Sequence, residues 1–206
     1  YFGPSYTNDE VIKILKNNKI LFYKSQNLSK EIALEISSGK LIGWFQDKME
    51  FGHRALGNRS ILADPRNPKI KEIVDKAVKF RESFRPFAPA ILEEFCSKVM
   101  SMPKDRKVFF MERAYDFRQN WVKKIPGVVH IDKTGRVQTV SKYSNFKFYN
   151  LLREFYKITK TPTLLNTSFN LNGEPIVMTP EDALRTFYSC GLDILVINDL
   201  VIKKSN

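Results

Sequence analysis

Five of the arginines lie in three short segments of unusual composition. The first segment, EFGHRALGNRS at residues 50–60, carries Arg54 and Arg59, with Gly52 and Gly57 beside them. Glycine allows the backbone to approach a ligand, and a guanidinium donates to two phosphate oxygens at once while keeping its charge. These two arginines could converge on one multiply charged anion. The alternative is a surface loop with two solvated arginines.

The second segment, RESFRPFAP at residues 81–89, surrounds Arg81 and Arg85 with phenylalanine and proline. These neighbours indicate rigid and partly buried guanidinium groups. Because burying a charge without a partner is costly, a counter-anion is expected. Either Glu82 or a bound phosphate would provide it.

A hydrophobic strand followed by hydroxyl and amide side chains forms a further candidate site, LLNTSFNLNGEP at residues 164–175. Ligands of α/β sheets commonly bind at the carboxyl ends of strands, which brings Asn166 and Ser168 into consideration. Ser168 and Asn170 are two residues apart, so an extended backbone would turn both to one face. Such groups could bind a phosphate oxygen or a carbamoyl group. A polar turn with no ligand is the alternative.

The third arginine segment, HIDKTGRVQT at residues 130–139, places Arg136 and Gln138 on one face of a predicted strand. A hairpin without any function explains the same pattern. His130 fits a structural residue at a strand end as well as a catalytic base.

Composition restricts the partners and the cofactors. The net charge of +12 indicates a phosphate-bearing partner, nucleic acid or a charged small substrate, or else an acidic protein partner. Cys96 and Cys190 lack metal-ligand spacing, and with two histidines a histidine metal centre is not expected. No apolar run reaches the roughly 18 residues of a membrane span, and no signal peptide is visible. We therefore expect a cytoplasmic protein without membrane contact, and the first residue, Tyr1, suggests a fragment.

The arrangement of apolar residues and turn signals predicts one α/β domain over residues 1–206, with a mixed sheet. Helices are predicted to begin at Thr7, Leu28, Asn67, Phe146 and Thr179. Strands are predicted at 20–23, 41–45, 108–111, 163–165, 194–197 and 200–202, and in the segment that ends at Leu92. A hairpin is predicted with arms at 128–131 and 137–140, and residues 46–66 show no periodicity.

The segments GWFQDKMEFGHRALGNRSILADPR, FRPFAPAIL, HIDKTGRVQTV and TLLNTSFNLNGEPIVMTPEDAL, in this order, resemble the signature blocks of the carbamoyltransferase C-terminal domain. That family includes nodulation-factor and antibiotic-tailoring O-carbamoyltransferases. The resemblance implies a YrdC-like fold, a twisted mixed sheet flanked by helices around a basic nucleotide cavity. Asp47 stands where we expect a family glycine and His53 where we expect a proline.

The resemblance also implies roles for particular residues. Arg54, Arg85 and Ser168 would be catalytic. The nucleotide would be bound by Arg59, Arg81, Arg136, Asn166 and Asn170, with Arg81 and Arg85 in a basic motif and Ser168 and Asn170 in an S-x-N motif. No metal ligand is assigned.

The implied reaction is formation of carbamoyl-adenylate from ATP and carbamoyl phosphate, with Mg²⁺ as the companion of the triphosphate. Transfer to a hydroxyl acceptor would belong to an N-terminal domain of the actin and Hsp70 type, which this chain lacks. Two other functions fit the sequence: a nucleotide-binding domain that docks on a partner without turnover, and a basic RNA-binding module. Nucleic acid is the less expected partner, and a homodimer is compatible with the sequence.

Overall fold

The computed structural model describes residues 1–79 and 86–204, and an eight-stranded mixed sheet forms its centre. The strands are β1 (Tyr23–Lys24), β2 (Ile42–Phe45), β3 (Arg59–Ala63), β4 (Ala88–Leu92), β5 (Ala114–Asp116), β6 (Thr134–Arg136), β7 (Gln138–Val140), β8 (Thr163–Ser168), β9 (Ile194–Ile197) and β10 (Leu200–Lys203). The order in the sheet is β1-β10-β9-β2-β3-β8-β4-β7, and β5 and β6 form a separate ribbon. The β9–β2 and β4–β7 pairs are parallel, whereas the other pairs are antiparallel.

Helices cover both faces of the sheet. They are α1 (Asn8–Asn17), α2 (Leu28–Ser37), α3 (Ile70–Val74), α4 (Cys96–Val99), α5 (Gln119–Val122), α6 (Phe146–Thr159) and α7 (Pro180–Tyr188). A π-helical turn, Asp75–Lys79, continues α3. None of the helices in residues 1–79 and 86–204 combines the length and apolar character needed to cross a membrane. The prediction of a mixed sheet flanked by helices is confirmed.

The alternation of side chains along the strands divides the core in two. Trp44 of β2 and Leu164 of β8 lie in one cluster with α2 and α6, whereas the next residues, Phe45 and Leu165, lie in the other with α1 and α7. All four side chains are at most 1% exposed. Since successive strand residues point to opposite faces, the central strands are hydrophobic on both sides and must be covered by helices.

Capping groups determine where two of the helices begin. Thr7 and Glu10 form a capping box before α1, and Thr179 and Asp182 form another before α7, with Pro180 in its first turn. Each box satisfies backbone N–H groups that have no partner within the helix. Both helix starts were predicted correctly from the sequence.

Several other predictions were wrong. The helix expected from Asn67 begins at Ile70, because the Asn67 side chain accepts from the backbone N–H of Lys69 at 2.9 Å and closes a turn. Residues 108–111 form no strand, since Met111 takes a positive φ of 57°. In the expected hairpin the first arm is absent: residues 126–128 form a 3₁₀ turn. Strand β1 covers Tyr23–Lys24 rather than 20–23, and β3 was missed.

Candidate functional site

A cavity of about 100 Å³ lies where β8 ends and β4 begins. Its lining includes Arg54, Arg136, Asn166 and Ser168, together with His53 and Ala88 of β4. The antiparallel pairing of β4 with β8 places Ala88 opposite Asn166, so the first residue of one strand lies beside the end of the other. The structure thus brings residues from all four segments singled out in the sequence to one place.

The cavity concentrates positive charge. The pKa of Arg54 is lowered, first by burial and second by repulsion from Arg136. Neither arginine takes part in an ion pair within the described residues. Two like charges at one small cavity, with no acidic neighbour among the described residues, are unfavourable unless an anion joins them. The arrangement favours the binding of an anion.

A buried glutamate holds the loop that carries Arg54. Oε1 of Glu50 accepts from the backbone N–H groups of Leu56 and Asn58 at 2.7 Å and of Arg59 at 3.0 Å. Within this loop Gly57 has a φ of 99°, and a Cβ there would lie 2.3 Å from a ring carbon of Phe148. Glycine is therefore required for its conformation and for its close approach to the core.

Arg59 lies away from the cavity. Its guanidinium is fully buried over the Phe45 ring, at 3.5 Å from the ring centroid, and donates to backbone carbonyls. The acceptors belong to Pro4, Gln46, Asp47 and Asn58. Burial is the main cause that lowers its pKa to about 10. The geometry assigns Arg59 to holding the N-terminal segment and the loop after β2 rather than to a ligand.

The S-x-N pair meets a lysine that the sequence analysis did not single out. The Lys79 ammonium donates to Oδ1 of Asn170 at 2.7 Å and lies 3.3 Å from Oγ of Ser168, and it also donates to both backbone carbonyls. Ser168 Oγ in turn donates to Asn170 Oδ1 at 2.7 Å. Ser168 and Asn170 do face each other, as expected, and Ser168 alone of the two lines the cavity. The available signal was the position of Lys79 two residues before Arg81.

Asn166, which lines the cavity, forms hydrogen bonds with the Arg54 loop and with β7. Its amide nitrogen donates to the Ala55 carbonyl at 3.1 Å and to Oε1 of Gln138 at 2.8 Å. Gln138 donates in turn to the Leu56 carbonyl at 2.9 Å. The Oδ1 atom of Asn166 is buried and accepts no hydrogen bond from the described residues.

Arg81 and Arg85 lie outside the described residues. Lys79, which precedes them, contacts Ser168, and Pro86, which follows them, lines the cavity. His130 is half-buried on the approach to β6, and its Nδ1 lies 3.2 Å from Oγ1 of Thr134. Its pKa is lowered by burial, with Arg136 and Lys71 as smaller causes against the opposite effect of Asp132.

The described residues do not form a metal-binding cage. Within 1–79 and 86–204 there is no group of three or more His, Cys, Asp or Glu side chains that could hold an ion. The Asp132 carboxylate accepts from the backbone N–H and the hydroxyl of Thr134, which commits one of its oxygens to a turn.

A larger cavity of about 510 Å³ opens on the other side of Leu56 and Gln138. Aromatic side chains surround it, and four of them are at least 64% exposed: Phe2, Phe51, Phe110 and Tyr143. Sequence analysis did not identify this aromatic face, because its members lie far apart along the chain. An exposed apolar surface of this kind is typical of an interaction site.

Comparisons with known proteins agree on one family. The family model described as carbamoyltransferase C-terminus matches residues 33–204. Nodulation protein NolO of Bradyrhizobium diazoefficiens is 39% identical over 208 residues, which cover 99% of this chain and 38% of NolO. Nodulation protein NolNO of Sinorhizobium fredii is 41% identical over 208 residues, which cover 99% of this chain and 31% of NolNO.

Solved structures of HypF share the fold. The full-length HypF structure in the phosphate- and nucleotide-bound form has a TM-score of 0.57 and 16% identity, over 89% of this chain and 22% of HypF. HypF from T. kodakarensis has a TM-score of 0.54 and 16% identity, over 88% of this chain and 22% of HypF. The chain spans less than half the length of the curated relatives it matches. Since the family model covers most of the sequence, the chain belongs to the carbamoyltransferase C-terminal family.

Proposed function

We propose that this chain binds ATP and carbamoyl phosphate and forms carbamoyl-adenylate. The observation that carries the proposal is the pair Arg54 and Arg136, two guanidinium groups at one cavity with no acidic partner among the described residues. Family membership supports a carbamoyltransferase role, and HypF, which shares the fold, holds phosphate and nucleotide in its crystal structure. A triphosphate would supply the negative charge that the cavity lacks.

The proposed step begins with carbamate, which water releases from carbamoyl phosphate together with inorganic phosphate. A carbamate oxygen attacks the α-phosphorus of ATP and forms the new P–O bond. The bond from that phosphorus to the bridging oxygen breaks, and pyrophosphate leaves with the electron pair. Arg54 and Arg136 would stabilise the charge that develops on the phosphoryl and leaving oxygens.

Polar groups at the end of β8 would orient the substrates. Asn166 and Ser168 line the same cavity, and Oδ1 of Asn166 is an acceptor without a hydrogen bond from the described residues. Oδ1 would suit the NH₂ of a carbamoyl group. By the family resemblance Arg81 and Arg85 would complete the basic wall, and ATP would arrive as its magnesium complex. Lys79 would keep Ser168 and Asn170 in place.

A second candidate function is a nucleotide-binding half that needs a partner for turnover. The aromatic face around the 510 Å³ cavity favours it, because such a surface is unfavourable in water and is stabilised by contact with another protein. The partner would be the N-terminal actin- and Hsp70-type domain that the family resemblance implies. That domain would also bind the hydroxyl acceptor.

ATP–pyrophosphate exchange tests the proposal. The chain is incubated with MgATP and labelled pyrophosphate, with and without carbamoyl phosphate, and the adenylate is sought by mass spectrometry. Exchange that depends on carbamoyl phosphate and is lost in Arg136→Ala and Ser168→Ala would support formation of carbamoyl-adenylate by this chain. Arg153→Ala, an exposed arginine on α6, is the matched control and should exchange normally.

The same experiment separates the two candidates. ATP binding without exchange would favour the half that needs a partner. Absence of ATP binding to the wild-type chain would contradict both candidates.

A further inference from the structure

The turn between α7 and β9 touches the π-helical turn Asp75–Lys79. The backbone N–H of Gly191 donates to the carbonyl of Ala77 at 2.7 Å. This contact joins two segments that are more than a hundred residues apart in sequence. Ala77 lies two residues before Lys79, whose ammonium holds Ser168 and Asn170.

The contact leaves no room for a side chain at position 191 unless a neighbour shifts. A Cβ on Gly191 would lie 2.8 Å from Cβ and 3.1 Å from Cα of Ala77. The backbone of Gly191 lies outside the left-handed region, so its own conformation would accept alanine. The need for glycine here is therefore set by Ala77 and not by the turn.

The turn itself has little freedom to move away. Lys204 donates from its ammonium to the carbonyl of Cys190, immediately before Gly191. Asp193, two residues after it, accepts from the backbone N–H of Leu41 at 2.8 Å and pairs with Lys40 at 3.2 Å. Anchored on both sides, the turn would transmit added volume to the π-helical turn instead of absorbing it.

Lys79 would respond to a displacement of that π-helical turn. Its side chain is only 4% exposed, and its hydrogen bonds to Ser168 and Asn170 span 2.6 to 3.3 Å. Hydrogen bonds weaken steeply outside this range, so a shift of about 1 Å would break some of them. A single turn of π-helix within an α-helix is a frequent feature of functional sites.

We propose that Gly191 is a positioning residue, which fixes Lys79 in contact with Ser168 and Asn170 by allowing the α7–β9 turn to reach Ala77. The placement of Lys79 follows from the geometry alone. Its consequence for ATP affinity rests on the function proposed above. Nothing in this role requires Gly191 to touch a substrate.

Amine labelling of Lys79 tests the placement without any ligand. The intact chain is treated with acetic anhydride well below its melting temperature, and acetylation of Lys79 is followed by mass spectrometry. Wild type should be protected, because Lys79 is buried and hydrogen-bonded. In Gly191→Ala, Lys79 should be acetylated several-fold faster than in wild type. Addition of Ala77→Gly, which removes the atom at 2.8 Å, should restore much of the protection.

Gly3→Ala is the matched control. A Cβ at Gly3 would lie 2.7 Å from Cβ of Met49, so this variant is equally crowded but does not touch the π-helical turn. It should leave the labelling of Lys79 unchanged. Should Gly191→Ala fail to fold, Ala77→Ser enlarges the same contact from the other side and should expose Lys79 in the same way.

ATP affinity is measured on the same variants. Gly191→Ala should weaken binding about three- to thirty-fold, as expected for a residue that acts through another, and Ala77→Gly should reverse part of the loss. Unchanged labelling in Gly191→Ala, failure of the double variant to recover, or an equal effect of Gly3→Ala would overturn the proposal. If the wild-type chain binds no ATP while labelling follows the expected pattern, the proposed function fails and the positioning role stands.

Discussion

The amide nitrogen of Asn166 donates a 2.8 Å hydrogen bond to Oε1 of Gln138, and this contact lies between two cavities. Asn166 lines the small basic cavity, and Gln138 lines the larger aromatic one. Each side chain also donates to a backbone carbonyl of the loop that carries Arg54. Because both residues are at most 3% exposed, their orientation is fixed, and the loop is held at a defined height above β7 and β8.

Asn166→Asp should strongly weaken ATP binding. An ionised aspartate cannot donate to the Ala55 carbonyl or to Gln138, and it places a negative charge beside the incoming phosphates. At an effective dielectric constant near 20, repulsion over a few ångströms weakens binding on the order of 100-fold or more. Isothermal titration with MgATP measures the loss.

Asn172→Asp is the control for that substitution. It makes the same change of charge on an exposed residue of the same segment and should alter the affinity little. Similar losses in both variants would show that net charge, and not the cavity, controls binding.

Replacing either cavity arginine should separate stability from binding. Arg136→Met and Arg54→Met each remove one of two charges that repel each other, so the melting temperature without ligand should stay level or rise. ATP should then stabilise these variants far less than wild type, which gains about 2.7 kcal/mol at a hundred times the Kd. Thermal melts with and without MgATP provide the melting temperature of the free variant and its stabilisation by ATP.

The outcome that contradicts this prediction is a large fall in the melting temperature without ligand. Such a fall would mean that the arginines are structural partners within the fold. Arg153→Met, on the exposed side of α6, should match wild type in both measurements.

Local signals were sufficient for the parts of the fold that local chemistry determines. The capping residues Thr7 and Thr179 marked two helix starts, and the apolar run before Asn166 and Ser168 marked the edge of the sheet where the basic cavity lies. Arg54 and Arg136 were identified because arginine among glycines and small polar residues is unusual. In each case a few neighbouring residues carry the information.

Residues whose roles depend on distant contacts were not predictable in this way. Lys79 is one of 34 Lys and Arg residues, and its contacts with Ser168 and Asn170 distinguish it from a surface lysine. Strand β3 begins with Arg59, a residue type that is almost never fully buried, so the sequence favoured a loop. The carbonyls that satisfy Arg59 come from Pro4 and from the loop after β2, which the sequence alone does not bring together.

Arg59→Met should destabilise the fold and leave the cavity intact. The substitution removes the donors of four backbone carbonyls and should cost on the order of 3 kcal/mol or more in the free energy of unfolding. Urea denaturation measures this change. ATP affinity, measured where the variant is folded, should remain near the wild-type value, because Arg59 does not line the cavity.

Arg59→Lys is the conservative comparison. It keeps the charge, but a compact ammonium cannot reproduce the planar fork of donors or the stacking on Phe45, so it should also destabilise the fold. A selective loss of ATP affinity with normal stability would instead place Arg59 in the ligand site.

The stability of the fold should decrease between pH 7.5 and pH 5.5 because of His130. Burial lowers the pKa of its imidazole in the folded chain, whereas the unfolded chain binds the proton near pH 6.5. As the pH falls, the unfolded state takes up this proton first, and the free energy of unfolding declines until the folded pKa is passed. The lowered carboxyl pKa values of Asp132 and Asp182 have their effect below this range.

Urea denaturation at pH 7.5, 6.5 and 5.5 tests the role of His130. His130→Gln should flatten the decline. Arg136 also contributes to the lowered pKa of His130, so the stability of Arg136→Met should decline less steeply with falling pH than that of wild type. Equal slopes in wild type, His130→Gln and Arg136→Met would assign the decline to another group and separate His130 from the basic cavity.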